Sequence, residues 1–381
     1  MSRVLLIAPQ WIGDAVMAQP LVALLAARGE QVTALGPPAV APVLRVMPGI
    51  VEVVETSFAH GKLDFGTRRR IAARLRGQGF ERAYILGNNV KSRLVPWMAR
   101  IPQRIGYRGE ARGLLLTHAV NALDSDQAPD SGRPAEPLAI SPIACRLPGE
   151  TASAVLTRAS QPNPDRADMR RHYAALAGFA QSDDAAATSR HASLTEPTLH
   201  VAADVADAAR RQFGLPPRWI ALCPGAEYGP AKQWPVEHYA ALARFAQQQG
   251  FAVAVLGAPR DTPAGDAIAA RAPSVLDLCG KTRLHDAIVL LASASGAVSN
   301  DSGLMHVAAA LGRPTVGLYG STDPRHTPPA AHRSATIWLQ LDCSPCFQRT
   351  CPLGHLNCLR HIAPEQAWAQ LRRLIDGDPA P

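Results

Sequence analysis

The chain has 381 residues, 47% of them hydrophobic and 18% charged, which excludes a disordered polymer and exceeds one ordinary core, so a two-domain protein is expected. Aromatics at 5% argue against an all-β sandwich, and a net charge of +8 points to an anionic partner: nucleic acid, a membrane surface or a phosphorylated small molecule. No apolar run approaches the ~20 residues of a membrane span.

The first residues, "MSRVLLIAPQWIGD", lack the long apolar core and cleavage site of a signal peptide, so a soluble, cytosolic chain is expected. Short apolar runs then alternate with amphipathic segments: "RVLLIA", "EQVTALG", "VEVVET" and "ERAYILG" read as strands of a parallel sheet with crossover helices. From about Asn121 to Asp168 the chain is rich in Pro, Ser, Asp and Ala and carries no period. The helical "DMRRHYAALAGFA" follows, then a polar linker, "QSDDAAATSRHASLTEP". From Arg218 the alternation resumes with "WIALCPG", "FAVAVLG", "SVLDLCG", "GAVSND" and "PTVGLYG". Two doubly wound α/β domains are therefore expected, 1–185 and 198–362, with an insertion at about 121–168. A final helix, 364–376, starts at Pro364 and is expected to pack back on the first domain.

In such sheets ligands bind at the carboxyl ends of the strands, so the loops there hold the candidates. Neither a G-x-G-x-x-G nor a Walker A sequence follows a first strand. In "SNDSGLMHVAAALG", Asp301, Ser302 and Gly303 precede a helix whose free N–H groups can hold a phosphate; the same residues also suit plain helix caps. "CPGAEYGPAKQWP" sets Lys232 beside a helix start, a poor place for a cation unless an anion joins it or the side chain turns into water. In "APQWIGDAVMAQPL", Asp14 stands where a strand gives way to a helix, either as a cap or as a base.

These three stretches, with "KSRLVPWMARIPQRIGYRGEAR", together resemble the ADP-heptose:lipopolysaccharide heptosyltransferases, the second-heptose (heptosyltransferase II) branch in particular. The resemblance runs from about Arg3 to Asp323 and implies a GT-B architecture, two Rossmann-like domains facing across a cleft. It implies inverting transfer of L-glycero-D-manno-heptose from ADP-heptose to the first heptose of the lipid A-linked inner core, with no cofactor needed for catalysis. By resemblance Asp14 matches the catalytic aspartate. Lys232 and the helix start at Ser302, Gly303 and Leu304 match the phosphate contacts, Asp301 and Glu227 serve the donor, and Thr282 and Leu284 line the adenine pocket. His306 either reaches the phosphate or sugar or is a satisfied interior histidine. The acceptor carries phosphates, so Lys91, Arg104, Arg108 and Arg112, with Arg93, are its candidate contacts.

The triplet Arg68, Arg69 and Arg70 reads as a solvated helix face or a contact with the inner-membrane surface, to which the cytoplasmic enzyme would be peripheral. "DSD", Asp124 to Asp126, mimics the D-x-D of metal-dependent glycosyltransferases, but lies in the polar insertion and reads as a solvated turn. A heptosyltransferase with another acceptor and a GT-B-fold sugar-nucleotide epimerase stand as alternatives. A nucleic-acid binder fits less well, because the basic residues are scattered and no aromatic-rich strand accompanies them.

The last feature is "CSPCFQRTCPLGHLNC", which holds four of the seven cysteines. Cys343, Cys346, Cys351 and Cys358, with His355 as a substitute, have spacings suited to a structural zinc or iron; a redox switch and plain thiols are the alternatives. The loop is expected to lie away from the transfer chemistry.

Overall fold

A computed structural model describes residues 1–58, 63–109, 113–121, 168–180 and 195–377. Arg112, the Asp124–Asp126 triplet, nearly all of the insertion and most of the linker lie outside the described residues. The described residues form two compact units, one up to His200 and one from Val201 onward.

The first unit is built on strands β1 (Arg3–Ile7), β2 (Gln31–Gly36), β3 (Ile50–Glu55), β4 (Phe80–Ile85), β5 (Gln103–Tyr107) and β6 (His118–Val120). All pair in parallel, in the order β3-β2-β1-β4-β5-β6. Val4, Leu5 and Leu6 are fully buried, as a strand covered by helices on both faces requires. The chain winds outward one way from β1 and then reverses at β4. The crevice beyond the carboxyl ends of β1 and β4 is therefore the topological switch point, and Asp14 and Lys91 follow those two strands.

The second unit repeats the scheme with β7 (Trp219–Cys223), β8 (Ala252–Val255), β9 (Val275–Asp277), β10 (Gly296–Asn300), β11 (Thr315–Tyr319) and β12 (Ser334–Trp338). Its parallel order is β12-β11-β10-β7-β8-β9, so its switch point lies between β7 and β10. The core brings Ile220, Leu222, Val253, Val298, Val316 and Leu318 of the strands together with helix Val236–Gln248.

The final helix, Pro364–Asp376, buries Ala367, Gln370, Leu371 and Leu374, spaced as one helical face, and packs on β10, β11, β12 and helix Val236–Gln248 of the second unit. Gly296 permits that approach, since a Cβ there would lie 2.9 Å from Leu371 Cδ1. Among the described residues no helix is long and apolar enough to cross a membrane.

Candidate active site

The two loops that leave the second switch point carry the two charged residues picked out by sequence, and the fold makes them partners. After β7 the chain forms a short turn, Pro230–Lys232; after β10 it enters helix Gly303–Ala310 through Asp301 and Ser302. Lys232 Nζ donates to Asp301 Oδ2 at 2.5 Å. The anion that Lys232 needs beside a helix start is thus supplied within the fold by Asp301. Thr322, in the loop after β11, donates its hydroxyl to the same carboxylate oxygen at 2.6 Å. Burial alone would raise the Asp301 carboxyl, but Lys232 and His306 outweigh it and hold the group well below the usual carboxylate range.

His306 is 4% exposed, with Nε2 3.8 Å from Asp301 Oδ1. Its Nδ1 is buried without a hydrogen-bond partner among the described residues. The helix start is not capped by a side chain. Asp301 is committed to Lys232 and Thr322, while the Ser302 hydroxyl meets Ser299 Oγ at 3.1 Å. Gly303 and Leu304 open the helix beside Asp301, where its N–H groups and dipole favour an anion. Asn300, fully buried, locks the strand end: its Oδ1 accepts from Trp234 N–H and the Tyr239 hydroxyl, and its Nδ2 donates to Pro224 O. That network fixes the loop carrying Lys232 against the end of β10.

Glu227 is half-exposed and ion-paired with Arg260. Thr282 and Leu284 follow the edge strand β9; Thr282 donates to Leu278 O at 3.5 Å, and Leu284 opens helix Leu284–Leu291. Thr322 escaped the sequence reading, although it follows β11 at the same carboxyl edge as Asp301.

In the first unit Asp14 is the third residue of helix Ile12–Met17, whose N-cap is Trp11, so it is not the cap. It is partly buried, and its carboxylate adds to burial in pushing the Tyr173 phenol well above its ordinary value. Lys91 is the second residue of helix Val90–Met98, which follows β4. Arg108 follows β5, is exposed and donates Nε to Ala119 O at 3.4 Å.

Three arginines depart from expectation. Arg104 sits near the amino end of β5, where Nε and Nη1 donate to the carbonyls of Leu115 and Ile101 at 2.7 and 2.6 Å, which commits it to the fold. Arg93 is fully buried and donates to Tyr107 O and Leu114 O. Arg68 is buried too, donating to Leu63 O and Lys91 O and lying over Phe58, whereas Arg69 and Arg70 are exposed. Arg93→Met is expected to lower the unfolding free energy by roughly 1–3 kcal/mol, since it strands the buried Tyr107 carbonyl and gives up the bond to Leu114 O, while the folded fraction keeps its affinity for ADP. Chemical denaturation and nucleotide titration check this.

The cysteine-rich stretch is not remote from the site. Cys343, Cys346, Cys351, Cys358 and His355 line one small cavity of about 20 Å³ together with Ser321 and Ala231, the neighbour of Lys232. Among the described residues none of the four cysteines is joined in a disulfide, and His355 Nδ1 accepts from Asn357 N–H at 3.0 Å. Thiolates and imidazole suit zinc or iron in kind. As placed, however, no three His, Cys, Asp or Glu side chains among the described residues converge closely enough to hold a metal ion.

Two doubly wound units of one strand order in a single chain, the second presenting a lysine and a helix start without a side-chain cap at its switch point, give the GT-B fold of nucleotide-sugar enzymes. Residues 68–130 and 143–357 match the model of glycosyltransferase family 9 (heptosyltransferase). The chain is 35% identical to lipopolysaccharide heptosyltransferase 2 of Salmonella typhimurium and 34% identical to that of Escherichia coli, each over 98% of both chains. The structure of E. coli ADP-heptose lps heptosyltransferase II superimposes with a TM-score of 0.76 at 32% identity, covering 98% of both chains. The chain belongs to glycosyltransferase family 9, the heptosyltransferases. This membership makes it an enzyme that transfers a glycosyl group and removes the epimerase and nucleic-acid-binding alternatives.

Proposed function

We propose that the enzyme moves L-glycero-D-manno-heptose from ADP-heptose to the first heptose of the lipid A-linked inner core, with inversion at the anomeric carbon. The donor belongs to the second unit and the acceptor to the first. The observation that carries this reading is the pairing of Lys232 with Asp301 at a switch point, beside a helix start without a side-chain cap. A diphosphate would draw Lys232 from Asp301 and accept N–H groups from Ser302, Gly303 and Leu304, freeing the Asp301 carboxylate for sugar hydroxyls. Asp14 is the base. It takes the proton of the acceptor hydroxyl as the new C–O bond forms, while the bond from the anomeric carbon to the β-phosphate oxygen breaks and ADP leaves with the electron pair. Lys232 and the helix dipole stabilise the charge that grows on the leaving phosphate.

Lys91, Arg108 and Arg112 are the candidates for the acceptor's phosphates; Arg93 and Arg104, tied to backbone carbonyls, are withdrawn from that role. Exposed Arg69 and Arg70 suit a contact with the anionic inner-membrane surface, which the lipid-linked acceptor requires. Thr282, Leu284, Glu227 and His306 complete the donor set. Mass spectrometry of the lipid A core from a strain lacking this chain is expected to find a core truncated after its first heptose. A core of normal length would contradict the proposal.

The same reading includes a structural zinc or iron on the cysteine-rich loop, supported by four thiols and an imidazole around one cavity. It requires the sulfurs to draw together as metal enters. Elemental analysis of untagged protein is expected to find near one metal per chain, lost in a Cys343→Ser/Cys346→Ser variant. Metal-free protein of full stability and activity would overturn it.

A further inference from the structure

One cation at the donor crevice has no role in the scheme above. Arg349 stands at the tip of the cysteine-rich stretch, exposed, with its guanidinium carbon 5.1 Å from the centroid of the Tyr228 ring. The Lys232 ammonium lies 5.2 Å from the same centroid. One aromatic ring thus gathers two cations, whose charges repel each other. Lys232 is balanced by Asp301; among the described residues no carboxylate is within ion-pair reach of Arg349. Lys232, Asp301 and Arg349 together therefore leave one uncompensated positive charge at this ring. A guanidinium cannot shed its proton to relieve that, so the ring carries a standing positive charge that favours an anion.

The backbone under Arg349 is fixed although its side chain is exposed. Ala231 N–H donates to Arg349 O at 3.0 Å, and a Cβ on Gly229 would lie 2.4 Å from that same oxygen, so the two loops touch where only glycine fits. The Tyr228 hydroxyl donates to Phe347 O at 2.5 Å, and Phe347 N–H donates to Ser321 O at 2.7 Å. Ser321 precedes Thr322, which holds Asp301. The stretch Phe347–Arg349 is thus stitched to the loop that carries Lys232 and to the loop after β11 that carries Thr322, and holds Arg349 on a fixed backbone.

We propose that Arg349 is a second cation of the donor site, binding the diphosphate of the nucleotide sugar beside Lys232, with Tyr228 as the platform that spaces the two charges. The inference rests on the donor reading given above. A planar fork suits two phosphate oxygens at once, where Lys232 supplies a point charge.

The test is titration of ADP, and of adenosine as the phosphate-free control, into full-length wild type, Arg349→Gln and Arg349→Met. The methionine keeps an apolar stem against Tyr228 and removes only the charge. Both variants are expected to bind ADP about tenfold or more weakly, the effect of one charge-assisted hydrogen bond, with a shallower salt dependence and unchanged adenosine binding. Melting temperatures should stay with wild type. Unchanged ADP affinity in the methionine variant overturns the proposal, because it leaves Arg349 a surface side chain packed on a tyrosine. So does a loss confined to the glutamine variant, or an equal loss for adenosine. Wild type that fails to bind ADP at all would instead defeat the donor reading itself, and this inference with it.

Discussion

Asp14→Asn is expected to reduce kcat for heptose transfer by about a hundredfold or more, with ADP affinity and melting temperature near those of wild type. The substitution keeps the volume of the side chain and removes its basicity, at the third residue of helix Ile12–Met17. The acceptor hydroxyl then has no strong base to receive its proton as the bond to the anomeric carbon forms. The Tyr173 phenol cannot take over, because its burial, the larger cause of its raised value, persists in the variant and keeps it protonated. Single-turnover kinetics with saturating donor isolate the chemical step. An undiminished rate would place the base elsewhere.

Lys232→Ala is expected to weaken ADP binding and slow transfer together, by about tenfold or more in each, and also to destabilise the second unit. The stability effect arises because Asp301, 5% exposed, loses the cation that offsets its burial, at a cost of roughly 3 kcal/mol near neutral pH. The pH dependence follows from the sign of the shift. In wild type the folded Asp301 carboxyl is depressed, so its contribution to stability is full above the unfolded value of about 3.9 and is lost as pH falls through the lower folded value. Without Lys232 the largest of the lowering influences is gone, so the group protonates more readily in the folded state than it does in wild type. The deficit of Lys232→Ala against wild type should therefore be largest near pH 7 and narrow as pH falls toward 4. Denaturation curves at several pH values measure it, and a deficit independent of pH would show that the pair is not the cause.

The alternation of apolar runs and amphipathic segments made the two doubly wound units legible, and with them the edge where ligands bind. It did not reveal β5, β6 or β12. "QRIGY" was read only for its charge, "HAV" is three residues long, and "SATIW" is short and lies at a sheet edge. Lys232 and Asp301 could each be singled out from local chemistry, as a cation at a helix start and an acid after a strand. Their partnership could not, because 69 residues separate them and only the order β10-β7 brings the two loops together.

Charge misled where tertiary contacts decide. Arg93 and Arg104 look like phosphate ligands in sequence, yet the carbonyls they serve come from segments whose positions depend on how β5 and β6 pair. Arg68 differs from Arg69 and Arg70 only in which helix face it occupies, and that face meets Phe58 and helix Val90–Met98. The expectation that the cysteine-rich stretch lies away from the chemistry fails because spacing alone says nothing of neighbours. Its contacts with Tyr228, Gly229 and Ala231 put it beside the donor loop.

The most direct measurement is the reaction itself: purified enzyme, ADP-heptose and a lipid A core acceptor ending in a single inner-core heptose, with the product followed by mass spectrometry and its new linkage by nuclear magnetic resonance. One heptose added to that terminal heptose, with the anomeric configuration inverted relative to the donor and one ADP released per transfer, is the predicted result. Transfer with retained configuration, transfer only to an acceptor that lacks heptose, or ADP release with no glycosylated product would contradict it.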